Sequence, residues 1–113
     1  PYAQYQFALY LLKHGNTVQE AQLAVSYLKL ALQSGKETPQ SIIVLCQYEL
    51  AQCYEKGRGS IKNFEQAVYY YQLAADNESI LAQEHLAEAY FYGRLGLTQS
   101  YQQGVVYYWQ AAT

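Results

Sequence analysis

The feature that most constrains the fold of this chain is a motif that recurs along it. The Leu-Ala pair at 50–51 returns at 86–87, and Tyr and Gly follow each pair at the same spacing. Ala67, followed by the Tyr pair at 70–71, returns as Gly104 followed by the Tyr pair at 107–108. The offsets are 36 and 37 residues, and the extra residue falls in the segment between the two motifs. Self-similarity at this period is typical of repeat architectures.

A more diverged copy of the motif precedes these two. Ala8 lies 43 positions before Ala51, and Ala24 lies 43 positions before Ala67, so the added length falls in the connector from 33 to about 41. The three copies fill the chain. We therefore predict one repeat domain over 1–113, with repeat one at about 1–35, repeat two at about 38–76 and repeat three at about 78–113. We expect this domain to be a piece of a longer array.

Each copy is predicted to form two helices. Thr17, Asn63 and Ser100 are each followed three residues later by Glu or Gln, which is the capping-box pattern of a helix start. Gly57 and Gly93 stand where the first helices should end. One helix pair cannot bury its apolar faces alone, so the pairs are expected to stack into a solenoid.

The full pattern resembles a known repeat family. It runs Ala-x-x-x-Leu-Ala-x-x-Tyr-x-x-Gly-x-Gly, then a capping residue, then Ala-x-x-Tyr-Tyr-x-x-Ala-Ala, and it is similar to the Sel-one-like repeat, a relative of the tetratricopeptide repeat. Asn63 and Ser100 replace the usual Asp cap, and Gly104 replaces the usual Ala. The resemblance implies an all-α fold, a right-handed superhelical solenoid of three antiparallel helix pairs.

The same resemblance implies a function. Members of the family are adaptors that assemble multi-protein complexes, so the expected partner is a protein or a peptide. One alternative is a self-associating module, for instance a homodimer through the terminal repeat, where Val105, Tyr108 and Trp109 would lie on an uncovered face. Another is a module that recruits substrates to an enzyme domain outside this sequence. The residues do not predict a compartment, although the resemblance favours a bacterial envelope or secreted location.

The resemblance also carries over a binding surface. In tetratricopeptide-like pairs the first helix lines the concave side, and the matching positions here form a groove that is aromatic at one end and acidic at the other. Such a groove suits a peptide with an apolar anchor and a basic neighbour. Alternatively, Leu12, Leu45, Leu81 and Phe91 belong to the core between repeats, and the polar positions are plain surface. The predicted partner-binding residues are Tyr2, Tyr5, Leu9, Tyr48, Gln52, Glu55, Glu84, Glu88 and Phe91.

Composition excludes several other classes. The net charge is −2 and the seven Lys and Arg residues are scattered, so the chain has no basic stripe for nucleic acid and no sign of direct membrane insertion. His14 and His85 fit structural roles, and Cys46 and Cys53 lie two turns apart in one predicted helix, too far for a disulfide. No catalytic constellation, zinc spacing or phosphate loop is present. We therefore predict a non-enzyme without cofactor or metal.

Overall fold

The fold consists of helices that pack in the order of the chain. The computed structural model describes residues 2–33 and 39–113, with side chains from Tyr5 onward. Each helix in these ranges packs against the next one along the chain, and the first helix also contacts the third. The predicted all-helical solenoid is confirmed. The helices of the described residues are α1 (Tyr2–His14), α2 (Val18–Gln33), α3 (Gln40–Lys56), α4 (Phe64–Asp76), α5 (Ile80–Tyr92) and α6 (Tyr101–Ala112).

Side-chain caps start the helices where the sequence predicts them. Asn63 and Ser100 each accept a hydrogen bond from the backbone N–H three residues on, at 3.1 and 3.2 Å. Thr17 and Glu20 form the full reciprocal box, because each side chain accepts from the backbone N–H of the other, at 3.1 and 3.3 Å. Each such cap contributes about 1 kcal/mol of helix stability. Ser79 caps α5 in the same way, which the sequence motif did not predict.

The core lies between successive helices and forms two clusters. The first joins α1, α2 and α3 around Leu28 and Leu50, and the second joins α3 to α6 around Tyr71 and Leu86. These four side chains are fully buried. The first helices of the repeats, α1, α3 and α5, therefore stand next to one another, and this neighbourhood creates the surface described below.

A glycine in the loop that joins two paired helices can allow that loop to lie very close to the preceding repeat. Gly59 and Gly96 are equivalent residues of repeats two and three, and both have positive φ, 77° and 71°. A Cβ atom on Gly59 would lie 2.3 Å from the carbonyl oxygen of Ala21 in α2, whereas a Cβ on Gly96 would meet no atom within 4 Å. The loop of repeat two thus lies directly against repeat one.

This pair of glycines gives a matched test of the packing. Gly96→Ala is expected to lower the free energy of unfolding by about 1 kcal/mol, the cost of a left-handed conformation for a side chain with a Cβ. Gly59→Ala adds a clash with backbone and should cost about 3 kcal/mol. Urea denaturation of both variants measures the difference. Equal losses would show that the loop does not press against α2.

Candidate protein-binding surface

Two clefts lie between neighbouring first helices. The α1–α3 cleft has a volume of about 370 Å³, and a smaller niche beside it is lined further along α3 by Gln52, Cys53 and Lys56. The α3–α5 cleft has a volume of about 50 Å³ and corresponds to this niche, which has about 60 Å³. The residues that line the α3–α5 cleft are Glu55, His85, Glu88, Ala89, Arg94 and Leu95. The residues that line the α1–α3 cleft itself are Tyr5, Leu9, Leu12, Lys13, Glu49 and Arg58.

Hydrogen-bonded side chains line the α3–α5 cleft. The Tyr71 hydroxyl donates to Oε1 of Glu55 at 2.6 Å, and Nε2 of His85 lies 2.8 Å from the same oxygen. The rings of Tyr71 and His85 stack with their centroids 4.4 Å apart. Burial, followed by the bond to Glu55, raises the pKa of Tyr71, so its hydroxyl stays a donor. The cluster joins α3, α4 and α5.

Two predicted residues continue this cluster along α3. Nε2 of Gln52 donates to the hydroxyl of Tyr48 at 3.0 Å, and the Tyr48 ring meets Tyr71 edge-on at 5.8 Å. Burial raises the pKa of Tyr48, and the negative charges of Glu49, Glu55 and Glu84 raise it further. Both side chains are partly buried, so they present an ordered polar surface.

The acidic end of the predicted groove lies on α5. Glu84 and Glu88 are both exposed and stand one turn apart. Phe91 is partly buried, with its ring 5.6 Å from that of Tyr101 and 5.4 Å from that of Tyr108. Desolvation raises the pKa of Tyr108, and Glu88, Tyr92 and Glu84 raise it further. Because Glu84, Glu88 and Phe91 are four and three residues apart, the two carboxylates share a face of α5 with this aromatic cluster.

The structure separates the predicted residues into buried and accessible ones. Tyr5 is only 5% exposed and belongs to the core, so it offers a partner little surface. The Tyr2 side chain lies outside the described side chains. Leu12 belongs to the core, as the alternative interpretation of these leucines predicted. Leu45 and Leu81 do not, because they are 41% and 56% exposed. We call the accessible set the first-helix face: Leu9, Tyr48, Gln52, Glu55, Glu84, Glu88 and Phe91.

Several residues of this surface were not predicted. Arg58, in the loop after α3, donates from Nη2 to the carbonyl oxygen of Leu12 near the end of α1. Glu49 lines the α1–α3 cleft, and burial raises its pKa, while the charges of Lys56 and Arg58 act in the opposite direction. The sequence signal for Arg58 is its place after Gly57, since Arg94 follows Gly93 in the same way.

The described residues show no other site of recognisable chemistry. No group of three His, Cys, Asp or Glu residues among them could hold a metal ion. Burial raises the pKa of Cys46 to about 12 and that of Cys53 to about 11, so both thiols stay protonated near neutral pH. Within residues 2–33 and 39–113, no helix is long and apolar enough to cross a bilayer.

The chain is similar to known repeat proteins in both sequence and fold. The family model of the Sel1 repeat matches the chain three times, over residues 1–36, 44–79 and 80–113. The fold is similar to that of a solved structure, the crystal structure of a Sel1 repeat protein from Oxalobacter formigenes, with a TM-score of 0.80. The two sequences are 24% identical, and the match covers 97% of this chain and 78% of that one. No curated protein matches the sequence.

The Tyr71 cluster can be tested by removing one hydroxyl. Tyr71→Phe should lower the free energy of unfolding by about 1 to 2 kcal/mol, because it removes a hydrogen bond to a carboxylate inside a repeat junction. Tyr69→Phe is the control, since that ring is on the same helix and exposed, and its loss should stay within about 0.5 kcal/mol. Chemical denaturation measures both. A Tyr71→Phe variant as stable as the control would contradict the role assigned to the cluster.

Proposed function

The chain belongs to the Sel1 repeat family, and on that premise we propose that it is a scaffold that binds a partner protein or peptide along the first-helix face. Repeats of this family generally mediate protein–protein interactions, and they are typically non-catalytic. The proposal adds a location to this family-level role. It assigns binding to the side chains of α1, α3 and α5 that the array leaves accessible.

The observation that carries the proposal is the pair of exposed carboxylates on α5. Among the described side chains, neither Glu84 nor Glu88 lies in an ion pair. Both lie on the same face of α5 as Phe91, whose ring contacts that of Tyr108, so charge and apolar surface stand side by side. Aromatic side chains beside a charge are typical of interface hot spots. A partner segment with a Lys or Arg next to an apolar residue would satisfy both groups.

This assignment is tested by neutralising the two carboxylates without changing their shape. Glu84→Gln with Glu88→Gln should weaken partner binding about tenfold, because each surface charge pair contributes about 0.2 to 1 kcal/mol and both are lost. The fragment is used to capture proteins from a lysate of its source, and the captured partner is then titrated. Glu65→Gln with Asp76→Asn is the control, since it removes two exposed charges from α4. Unchanged affinity of the first variant would place binding elsewhere.

Self-association is a second candidate function, and it is supported by residues that are buried inside the array but exposed at its two ends. Leu28 and Tyr71 are equivalent residues of α2 and α4, and both are fully buried where the first helix of the next repeat packs. Their equivalent in α6 is Tyr108, which is 40% exposed. At the other end, Leu50 and Phe7 are equivalent residues of α3 and α1, and Leu50 is fully buried while Phe7 is 43% exposed.

These two exposed faces are the two halves of one kind of junction. The junction occurs twice inside the chain, where α2 meets α3 and α4 meets α5. A second copy could therefore place its α1 face, with Phe7 and Tyr10, on the α6 face that contains Val105, Tyr108 and Trp109. Such a contact is heterologous, since it joins different surfaces of the two copies.

Sedimentation velocity over a range of concentrations tests the end-to-end contact. Self-association through these faces predicts a mass that grows with concentration. Phe7→Ser and Tyr108→Ser should each abolish the growth, because each removes one of the two complementary faces. A mixture of the two variants should restore dimers only, since one intact face of each kind remains. A monomer at all concentrations would eliminate this candidate.

A further inference from the structure

The two junctions between first helices place different chemistry at equivalent positions. Where the α3–α5 junction has Glu55, His85 and Tyr71, the α1–α3 junction has Leu12, Glu49 and Leu28. The first set forms a hydrogen-bonded cluster. Leucines cannot form such bonds, although Leu28 is as fully buried as its equivalent Tyr71. Beside these positions, the α1–α3 junction has a cleft of about 370 Å³.

The inner wall of this cleft is apolar, whereas its edge carries a charged side chain. Leu9 and Leu12 line it from α1, together with the buried Tyr5, so its inner wall is largely apolar. Lys13, from α1, stands at its edge and is exposed. A volume of this size falls in the range of about 300 to 1,000 Å³ that accommodates ligand-sized groups. One or two side chains of a partner segment fit such a space.

The rim carries an excess of positive charge. Lys13 and Arg58 line the cleft, and Lys56 lines the adjoining niche. Glu49 is the acidic residue among these lining side chains, so three cations face one carboxylate. Lys56 and Arg58 act electrostatically on Glu49. Because one carboxylate cannot balance three cations, the remaining positive charge at the rim attracts an anion.

Arg58 is held in position for this role. Its Nη2 atom donates to the carbonyl oxygen of Leu12, which ties the guanidinium to the end of α1. A guanidinium has further N–H donors in a fixed planar arrangement, and these suit a carboxylate. A group that is already anchored loses less conformational entropy when it binds a ligand.

We propose that the α1–α3 cleft binds a partner segment in which an apolar side chain stands next to Asp or Glu. The apolar side chain enters the cleft between Leu9 and Leu12, and the carboxylate pairs with Arg58 and the neighbouring lysines. This inference rests on the proposed scaffold function and deepens it. Because Glu84 and Glu88 on α5 favour a cation, a segment that spans the first-helix face carries negative charge at the α1 end and positive charge at the α5 end.

The opposite charges at the two ends also give the bound segment a direction. A reversed segment would bring its carboxylate to Glu84 and Glu88 and its cation to Lys13, Lys56 and Arg58. Like charges would then meet at both ends, which disfavours the reversed orientation.

A displayed library of random linear peptides, selected on the full chain, tests the proposal. The expected peptides have Asp or Glu beside a large apolar residue. Lys13→Glu with Lys56→Glu should weaken their affinity about tenfold in a fluorescence anisotropy titration, because two favourable charge contacts become unfavourable. Lys29→Glu with Lys62→Glu is the control. It makes the same change of net charge away from the cleft and should alter affinity by less than about twofold.

A second selection, on the Lys13→Glu/Lys56→Glu variant, distinguishes recognition from damage to the fold. It should enrich peptides with Lys or Arg beside the apolar residue, a gain that a misfolded variant cannot produce. If peptides enriched on the wild type lack the acidic residue, or bind both double variants equally, the cleft proposal fails. Peptides whose affinity depends only on Glu84 and Glu88 would overturn the cleft proposal and leave the scaffold function standing. Enrichment of no peptide would also overturn the cleft proposal, while the lysate capture would still decide the scaffold function.

Discussion

The architecture depends on how closely the two helices of each repeat approach. Ala8 and Ala24 in repeat one, and Ala51 and Ala67 in repeat two, are fully buried at equivalent positions. Repeat three has Ala87 and Gly104, and a Cβ on Gly104 would lie 2.4 Å from Cδ2 of Phe91. Small side chains here allow the backbones to come close, so larger side chains are placed between repeats. This arrangement brings α1, α3 and α5 side by side and determines which of their residues remain accessible.

Within that shared backbone, each junction takes its properties from a few substitutions. Glu55, His85 and Tyr71 connect α3, α4 and α5 through hydrogen bonds, whereas the equivalent Leu12 and Leu28 make the α1–α3 junction more apolar. Variation of this kind is a property of solenoids, because each repeat contacts only its neighbours and can change without disturbing distant ones. The same fold can therefore present an apolar cleft with cations at one end and carboxylates at the other.

The sequence predicts the local features of this fold well, but it predicts poorly how deeply each side chain is buried. Caps at Thr17, Asn63 and Ser100 follow from residues three positions apart, and such short-range patterns survive in any helical context. The depth of a side chain is different, since it depends on the neighbouring repeat. Tyr5 and Glu84 occupy equivalent positions of the motif, yet Tyr5 lies in the core cluster of α1, α2 and α3 while Glu84 stays exposed. Arg58 was missed for the same reason, because its partner Leu12 is in the preceding repeat.

The most direct test of the central claim is a backbone amide NMR titration of the chain with a captured partner. Binding along the first-helix face predicts that the largest chemical-shift changes fall on α1, α3 and α5 and on the loop at Arg58. The second helices α2, α4 and α6 should change little, apart from residues in contact with that face such as Tyr71 and Tyr108. Changes concentrated on the outer sides of α2 and α4 would contradict the account, since they would place the partner on the opposite surface of the array.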